Sequence, residues 1–187
     1  MQNGESHLIR LLEGCRRGDR NCQRKLYESF YGYAMSICLR YSGSKEEASE
    51  ILNDAFFKVL TNIDKFNPEQ PFKPWLRRLL INTAVDYSRK KHRFSITIEL
   101  SETADLPVEE LAMPVLSPDE DVLPVLQLLS PAYRIVFNLY VMEEYSHREI
   151  AALLDISESA SRSNLARAVE KLRVILMQRG RKLIKTH

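Results

Sequence analysis

The stretch DISESASRSNLARA places Arg162 and Arg167 among Ser157, Ser159, Ser161, Ser163 and Asn164. Guanidinium groups fork onto phosphates and guanine edges, and short hydroxyl and amide side chains bond to base edges or phosphates while letting a backbone come close. That is the chemistry of recognition, not of bond breaking. Serine is a mediocre helix former away from a cap, because its hydroxyl competes for backbone hydrogen bonds. Helix stability therefore does not explain a serine at every second position from Ser157 to Ser163, whereas close approach of a ligand to the helix start does.

Two further stretches carry usable groups. In FKPWLRRLLINTAVDYSRKKHR, Trp75, Leu76, Leu79, Leu80, Ala84 and Tyr87 can face a core, with Arg78, Asn82, Arg89 and Arg93 along another helix face and Lys90 and Lys91 near its end. A basic helix that opens with aromatics suits single-stranded or distorted nucleic acid, because cations track phosphates and rings stack on unpaired bases. Trp75 equally suits a core, and a basic helix end is equally a solvated face favoured by the helix dipole. In EILNDAFFKVLTNIDKF, Phe56 and Phe57 stand beside Glu50, Asn53 and Asp54. Two adjacent rings cannot both point along one helix face, so either one meets a protein partner at the surface or both sit in a wide stripe between two neighbouring helices.

Other chemistries find little support. The chain has no Gly-rich phosphate loop, no nucleophile elbow and no His/carboxylate cluster, so a hydrolase or transferase finds little support and we expect no enzyme. His7, His92, His147 and His187 are scattered, and Cys15, Cys22 and Cys38 lack CxxC spacing and read as small buried thiols. We expect neither metal nor cofactor. No apolar run approaches the roughly 20 residues of a membrane span, and MQNGESH lacks a signal peptide's charged and apolar regions, which points to the cytoplasm.

The elements that must position these groups are helical. Apolar residues recur at three- and four-residue spacing without sustained alternation, and the composition, 44% hydrophobic and 28% charged, is ordinary for a globular chain. The spacing predicts helices over residues 5–17, stopping at Gly18, and from an Asp19 cap to the Ser42-Gly43 break. A third opens at a Ser44/Glu47 capping box, and a fourth covers 74–91 after the proline-containing loop DKFNPEQPFKP. Beyond 94–123 come a short helix near VLQLL, one from Ser130-Pro131 to Glu143, HREIAALL behind a Ser146/Glu149 capping box, and a last helix over 158–178 capped by Ser157. The net charge of +2 conceals a segregation: residues 1–95 carry +6, residues 96–123 carry −8 with no Lys or Arg, and residues 124–187 carry +4. Two basic bodies able to meet a polyanion flank an acidic linker that cannot. The final unit has the order of a helix-turn-helix, whose recognition helix enters the major groove by its N-terminal end, although a plain helical hairpin has the same spacing.

Together, NDAFFKVLTNIDKF, then FKPWLRRLLINTAVDYSRKKHR, then LSPAYRIVFNLYVMEEYSHREIAALLDISESASRSNLARAVEKLR resemble the bacterial RNA polymerase sigma factors, in particular the two-domain extracytoplasmic-function type. The resemblance implies an all-α fold of two small domains: a four-helix sigma-2-like domain over 1–93 and a helix-turn-helix sigma-4-like domain over 124–187, joined by a mostly irregular acidic linker over 94–123. It implies that Glu50, Asn53, Asp54 and Phe56, with Phe57 beside them, contact the clamp helices of the largest polymerase subunit. Asn67, Pro68, Glu69 and Gln70 would form the loop holding a flipped −10 base. Phe72, Lys73, Trp75, Arg78 and Asn82 would face the melting junction, with Arg89, Lys90 and Lys91 at its basic end. Ser157, Ser159, Arg162, Ser163, Asn164 and Arg167 would serve the −35 element. Three departures stand out: Ser161 replaces a usual branched apolar residue, Asn164 replaces a common Arg, and Asn53-Asp54 replaces a more usual Gln-Glu pair. Polymerase core and promoter DNA are the implied partners, an anti-sigma factor is common in this group, and the free protein is expected to be a monomer. The alternative is a stand-alone helix-turn-helix regulator that needs no polymerase.

Overall fold

The computed structural model describes residues 2–91 and 122–184, and every regular element among them is helical. They divide into two compact units, Met1–Leu39 with Ser44–Tyr87, and Arg40–Gly43 with Ser88–His187. The acidic segment over 94–121 and Arg93 lie outside the described residues.

In the first unit, helix α1 (Gln2–Arg16) ends where Gly18 adopts a φ of 77°, a left-handed conformation that glycine enters without steric penalty. The Gly18 N–H returns to the Cys15 carbonyl and the Asp19 N–H to that of Gly14, each at 3.0 Å, which satisfies the last carbonyls of the helix. Asp19 then caps α2 (Arg20–Tyr41), its carboxylate accepting the N–H groups of Asn21 and Cys22 at 2.8 and 3.2 Å. Those bonds hold the Asp19 carboxyl below its usual range. Gly14 matters for a different reason: a Cβ there would lie 2.3 Å from Cys22 Sγ, so only glycine lets the first turn of α2 come this close. Burial pushes the thiols of Cys15 and Cys38 up to about 11 and about 12 respectively, which keeps them protonated. Cys22 is only partly covered.

Helix α3 (Lys45–Thr61) starts at Ser44, whose hydroxyl accepts the Glu47 N–H at 3.2 Å. The Glu46 carboxylate, lowered first by its own backbone N–H, also engages the Ser44 side chain. After a 3-10 turn at Ile63–Lys65, helix α4 (Phe72–Lys91) begins two residues before the predicted start. Pro74 still falls in the first turn, where its missing N–H has no intrahelical partner to lose. Leu26, Ile37, Ile51, Leu52, Leu76 and Leu80 close the core.

The second unit contains α5 (Val122–Leu126), α6 (Pro131–Phe137), a π turn at Asn138–Met142, α7 (His147–Leu154) and α8 (Glu158–Ile184). Helix α8 packs on α5, α6 and α7. The short first helix starts at Val122, earlier than VLQLL implied, and Ser130 makes no side-chain cap bond at the start of α6. The α-helix expected to reach Glu143 stops at Phe137, where the ladder widens and the Glu143 N–H reaches the Asn138 carbonyl; the Asn138 side chain donates to the Arg134 carbonyl at 2.9 Å beside the backbone N–H that also reaches it. Buried Arg134 holds α5 in place: Nε donates to the Leu126 carbonyl at 3.0 Å, and Nη2 to those of Gln127 and Leu129 at 3.0 and 2.7 Å. The Leu126 carbonyl also takes the Leu129 N–H at 3.1 Å, so the guanidinium adds a second donor there, whereas Gln127 and Leu129 lie just past the last turn, where a helix supplies no donor to its carbonyls.

Candidate nucleic-acid and protein interfaces

Helix α3 turns a polar and aromatic row outward. Glu50, Asn53, Asp54 and Phe57 are exposed, and Phe57 retains 70% of its surface. Phe56 corrects the sequence reading: it is 3% exposed, its ring edge-on to Tyr27 at 4.7 Å, so it is a core residue rather than a surface contact. Adjacent helix positions diverge by about 100°, and here that separates one ring into the core from one into solvent. Neighbouring helices supply partners to the row: the Tyr27 hydroxyl donates to Asn53 Oδ1 at 3.3 Å, that of Tyr87 to the Glu50 carboxylate, and Lys58 pairs with Asp86 at 3.2 Å.

The loop after the 3-10 turn presents Asn67, Pro68, Glu69 and Gln70 to solvent. Asn67 shapes it, its side chain accepting the Glu69 N–H at 3.0 Å and its carbonyl the Gln70 N–H at 3.0 Å. Trp75 is half-buried, its ring 5.2 Å from that of Phe66 and 5.6 Å from that of Phe72. Phe72 itself is buried, so it supports this surface from below and does not belong to it. Lys73 is exposed over the Tyr33 ring, Arg78 is exposed and Asn82 half-buried, and Arg89, Lys90 and Lys91 are exposed at the basic end of α4. A cavity of about 440 Å³ opens against the loop, lined by Leu12 and Arg16 of α1, by Phe30 and Phe66, and by Pro68 and Gln70. Arg16 Nη2 ties α1 to the loop by donating to the Phe66 carbonyl at 2.7 Å.

In the second unit the Ser146/Glu149 capping box is complete and Ser157 accepts the Ala160 N–H at 3.0 Å, which fixes the starts of both helices of the helix-turn-helix. Between them Asp155 takes the left-handed conformation at φ 58°, and the Ile156 N–H returns to the Ala151 carbonyl. Ser157, Ser159 and Arg162 are exposed, with Arg162 bonded to Glu158 at 3.1 Å, and Arg167 is half-buried. Ser163 and Asn164 require a correction. They are 4% and 1% exposed, and the Asn164 amide is turned back onto the Ala160 carbonyl at 2.7 Å, so neither lies on the exposed face where the sequence reading placed it.

Ser161, also buried, has its hydroxyl 2.9 Å from His147 Nδ1, and the His147 ring stacks on Tyr140 at 4.5 Å. A polar pair thus bridges the two helices at the position where Ser161 departs from the usual branched apolar residue. Burial, assisted by the Arg162 charge and opposed by Glu158, holds His147 below its ordinary value of 6.5. The unfolded chain therefore binds this proton more readily than the folded one, and the stability is complete above about pH 6.5 and declines as pH falls toward the lower folded value. Urea midpoints of the full chain at about pH 7.5 and about pH 5.5 should drop more for the wild type than for His147→Gln. Equal drops would remove His147 from the pH response.

Residues 26–94 match the family model of sigma-70 region 2, and residues 120–172 match that of sigma-70 region 4, together well over half of the chain. The chain belongs to the sigma-70 family, extracytoplasmic-function type. Sigma factors are transcription initiation factors rather than enzymes. Among its relatives, the ECF RNA polymerase sigma factor SigW of Bacillus subtilis is 26% identical over 180 residues, covering 90% of this sigma factor and 96% of the relative. The ECF RNA polymerase sigma-E factor of Escherichia coli K12 is 25% identical over 173 residues, covering 87% and 90%. Sigma factor RpoE from Bartonella quintana, solved in complex with the anti-sigma factor NepR, shares 18% identity over 95% of this chain and 98% of its own, with a TM-score of 0.48. Among the described residues no helix of this sigma factor is long and apolar enough to cross a membrane.

Sequence reasoning missed Arg134, Tyr27, Tyr87 and the His147–Ser161 pair. Arg134 carried a signal as the one charge within the apolar run AYRIVF, and Ser161 as a departure from the branched apolar residue usual at its position.

Proposed function

We propose that this sigma factor docks on RNA polymerase core through the outward row of α3, with Phe57 as its anchor and Glu50, Asn53 and Asp54 around it. The observation that carries the reading is a phenylalanine left 70% exposed among carboxylates and an amide: a ring so placed contributes nothing to its own unit, and a regulator acting on DNA alone has no need of it. By resemblance, the clamp helices of the largest subunit receive it. The exposed loop of Asn67, Pro68, Glu69 and Gln70, the partly open Trp75, and Lys73, Arg78, Asn82, Arg89, Lys90 and Lys91 then serve the −10 element and its melting. The cavity beside the loop, mostly apolar with polar groups at Glu13, Arg16, Glu69, Gln70 and Lys73, suits a planar base taken out of the stack. Ser157, Ser159, Arg162 and Arg167 at the open start of α8 serve the −35 element.

In this reading residues 1–93 bind core and −10, residues 124–187 bind −35, and the acidic 94–123 segment joins them. Thirty residues reach roughly 100 Å when extended, enough for two elements about two duplex turns apart. The polymerase performs the chemistry, so the subunit has no catalytic residues or cofactor and acts in the cytoplasm, as a monomer when free. An anti-sigma factor is a further partner of this reading, since the exposed row of α3 must be covered to keep the protein from core.

The test is permanganate footprinting with sigma-free core on a candidate promoter. Thymines near −10 should become reactive when core and this protein are both present. Firm duplex binding without core association would make the chain a stand-alone helix-turn-helix regulator.

A further inference from the structure

We propose that Tyr27 and Tyr87 are positioning residues for the polymerase contact, each holding one member of the α3 row in the arrangement it presents to the partner. The inference rests on the core-docking reading given above. Glu50 and Asn53 lie one turn apart on the exposed face of α3, and each receives a phenolic hydroxyl from a different flanking helix: Asn53 Oδ1 from Tyr27 of α2 at 3.3 Å, and the Glu50 carboxylate from Tyr87 of α4. The Tyr27 ring is itself set by the core, edge-on to buried Phe56 at 4.7 Å and 5.7 Å from Tyr31. The position of a buried phenylalanine is thereby relayed to an exposed amide. Tyr27 and Tyr87 are only partly buried, so their hydroxyls could point to water at little expense, and a surface hydrogen bond of this kind contributes little net stability.

What the bonds do supply is order. A flexible polar side chain on a docking face loses rotamer freedom when the partner arrives, and one already held loses less. The row is accordingly divided: Glu50 and Asn53 are held from the flanks, while Phe57 projects as the ring that enters the partner.

Tyr27→Phe and Tyr87→Phe keep both rings and delete only the hydroxyls. Each should weaken binding of the full chain to core polymerase by about three- to tenfold, with the melting temperature changed by less than about 2 °C. A structural role would show the opposite split. Double-mutant cycles make the assignment: Tyr27→Phe should have no further effect on core affinity in an Asn53→Ala background, nor Tyr87→Phe in a Glu50→Ala background. If Asn53→Ala and Glu50→Ala weaken core binding but the phenylalanine variants do not, the positioning role is overturned and the docking face stands. If the alanine variants leave core affinity unchanged, the docking face falls and the positioning role with it.

Discussion

Replacing Arg134 by methionine is expected to remove a sizeable part of the stability of the second unit. Methionine fills a similar volume with a flexible apolar chain, so the main loss is not packing. It is the donors: the carbonyls of Leu126, Gln127 and Leu129 each take an N–H from this one guanidinium, and Leu126 and Leu129 are buried. The Leu126 carbonyl keeps the Leu129 N–H at 3.1 Å, so the loss falls on Gln127 and Leu129; a buried acceptor left without a partner costs about 1–3 kcal/mol, and the variant should lose about 3 kcal/mol, a sizeable part of the roughly 5–15 kcal/mol that holds a domain folded. In thermal unfolding followed by circular dichroism, the transition of this unit should fall by about 15 °C or more. Arg134→Lys keeps the charge but offers a single point of donation where a planar fork served three acceptors, and should land between the two. A methionine variant melting within a few degrees of wild type would show that water satisfies those carbonyls and that Arg134 is not what fastens α5.

The second large effect separates two neighbours. Phe57→Ala should leave stability within about 0.5 kcal/mol of wild type, because the ring is 70% exposed. It should weaken core binding by about 2 kcal/mol or more, close to thirtyfold, as truncation of an aromatic anchor does at a protein interface. Phe56→Ala should do the reverse. Its ring is buried against Tyr27, so its loss should cost about 3–5 kcal/mol of stability, and core affinity should fall only through the smaller folded fraction. Fluorescence anisotropy with labelled core, read beside thermal melts of the same preparations, checks both at once. Loss of stability from Phe57→Ala, or undiminished core affinity after it, would end the anchor role.

These two rings show where local reading stops. The pair FF could be recognised as unable to share one helix face, but which of them faced inward depended on where α2 crosses α3, and that crossing is set by residues far apart in the chain. The same limit applied at Ser163 and Asn164. Small polar residues at a helix start read as an open face, yet packing of α8 on α5, α6 and α7 buries these two and leaves Ser157, Ser159 and Arg162 outside. Ser161 looked like a mismatch until His147, fourteen positions earlier, was found against it.

The sequence by itself determined the all-helical class, the Gly18 stop, the caps at Asp19, Ser44, Ser146 and Ser157, the loop before α4 and the family. Each of those rests on hydrogen bonds or backbone preferences within a few residues, or on motif order, all of which a linear string contains. Only the tertiary structure decided that Arg134 closes α5, that Tyr27 and Tyr87 reach the α3 row, that Phe57 is the exposed ring and that the α6 ladder widens at Asn138. Those outcomes depend on which donors meet which acceptors when separate helices pack, and a side chain's partner across a helix crossing is fixed by the positions of both helices, which local periodicity does not encode.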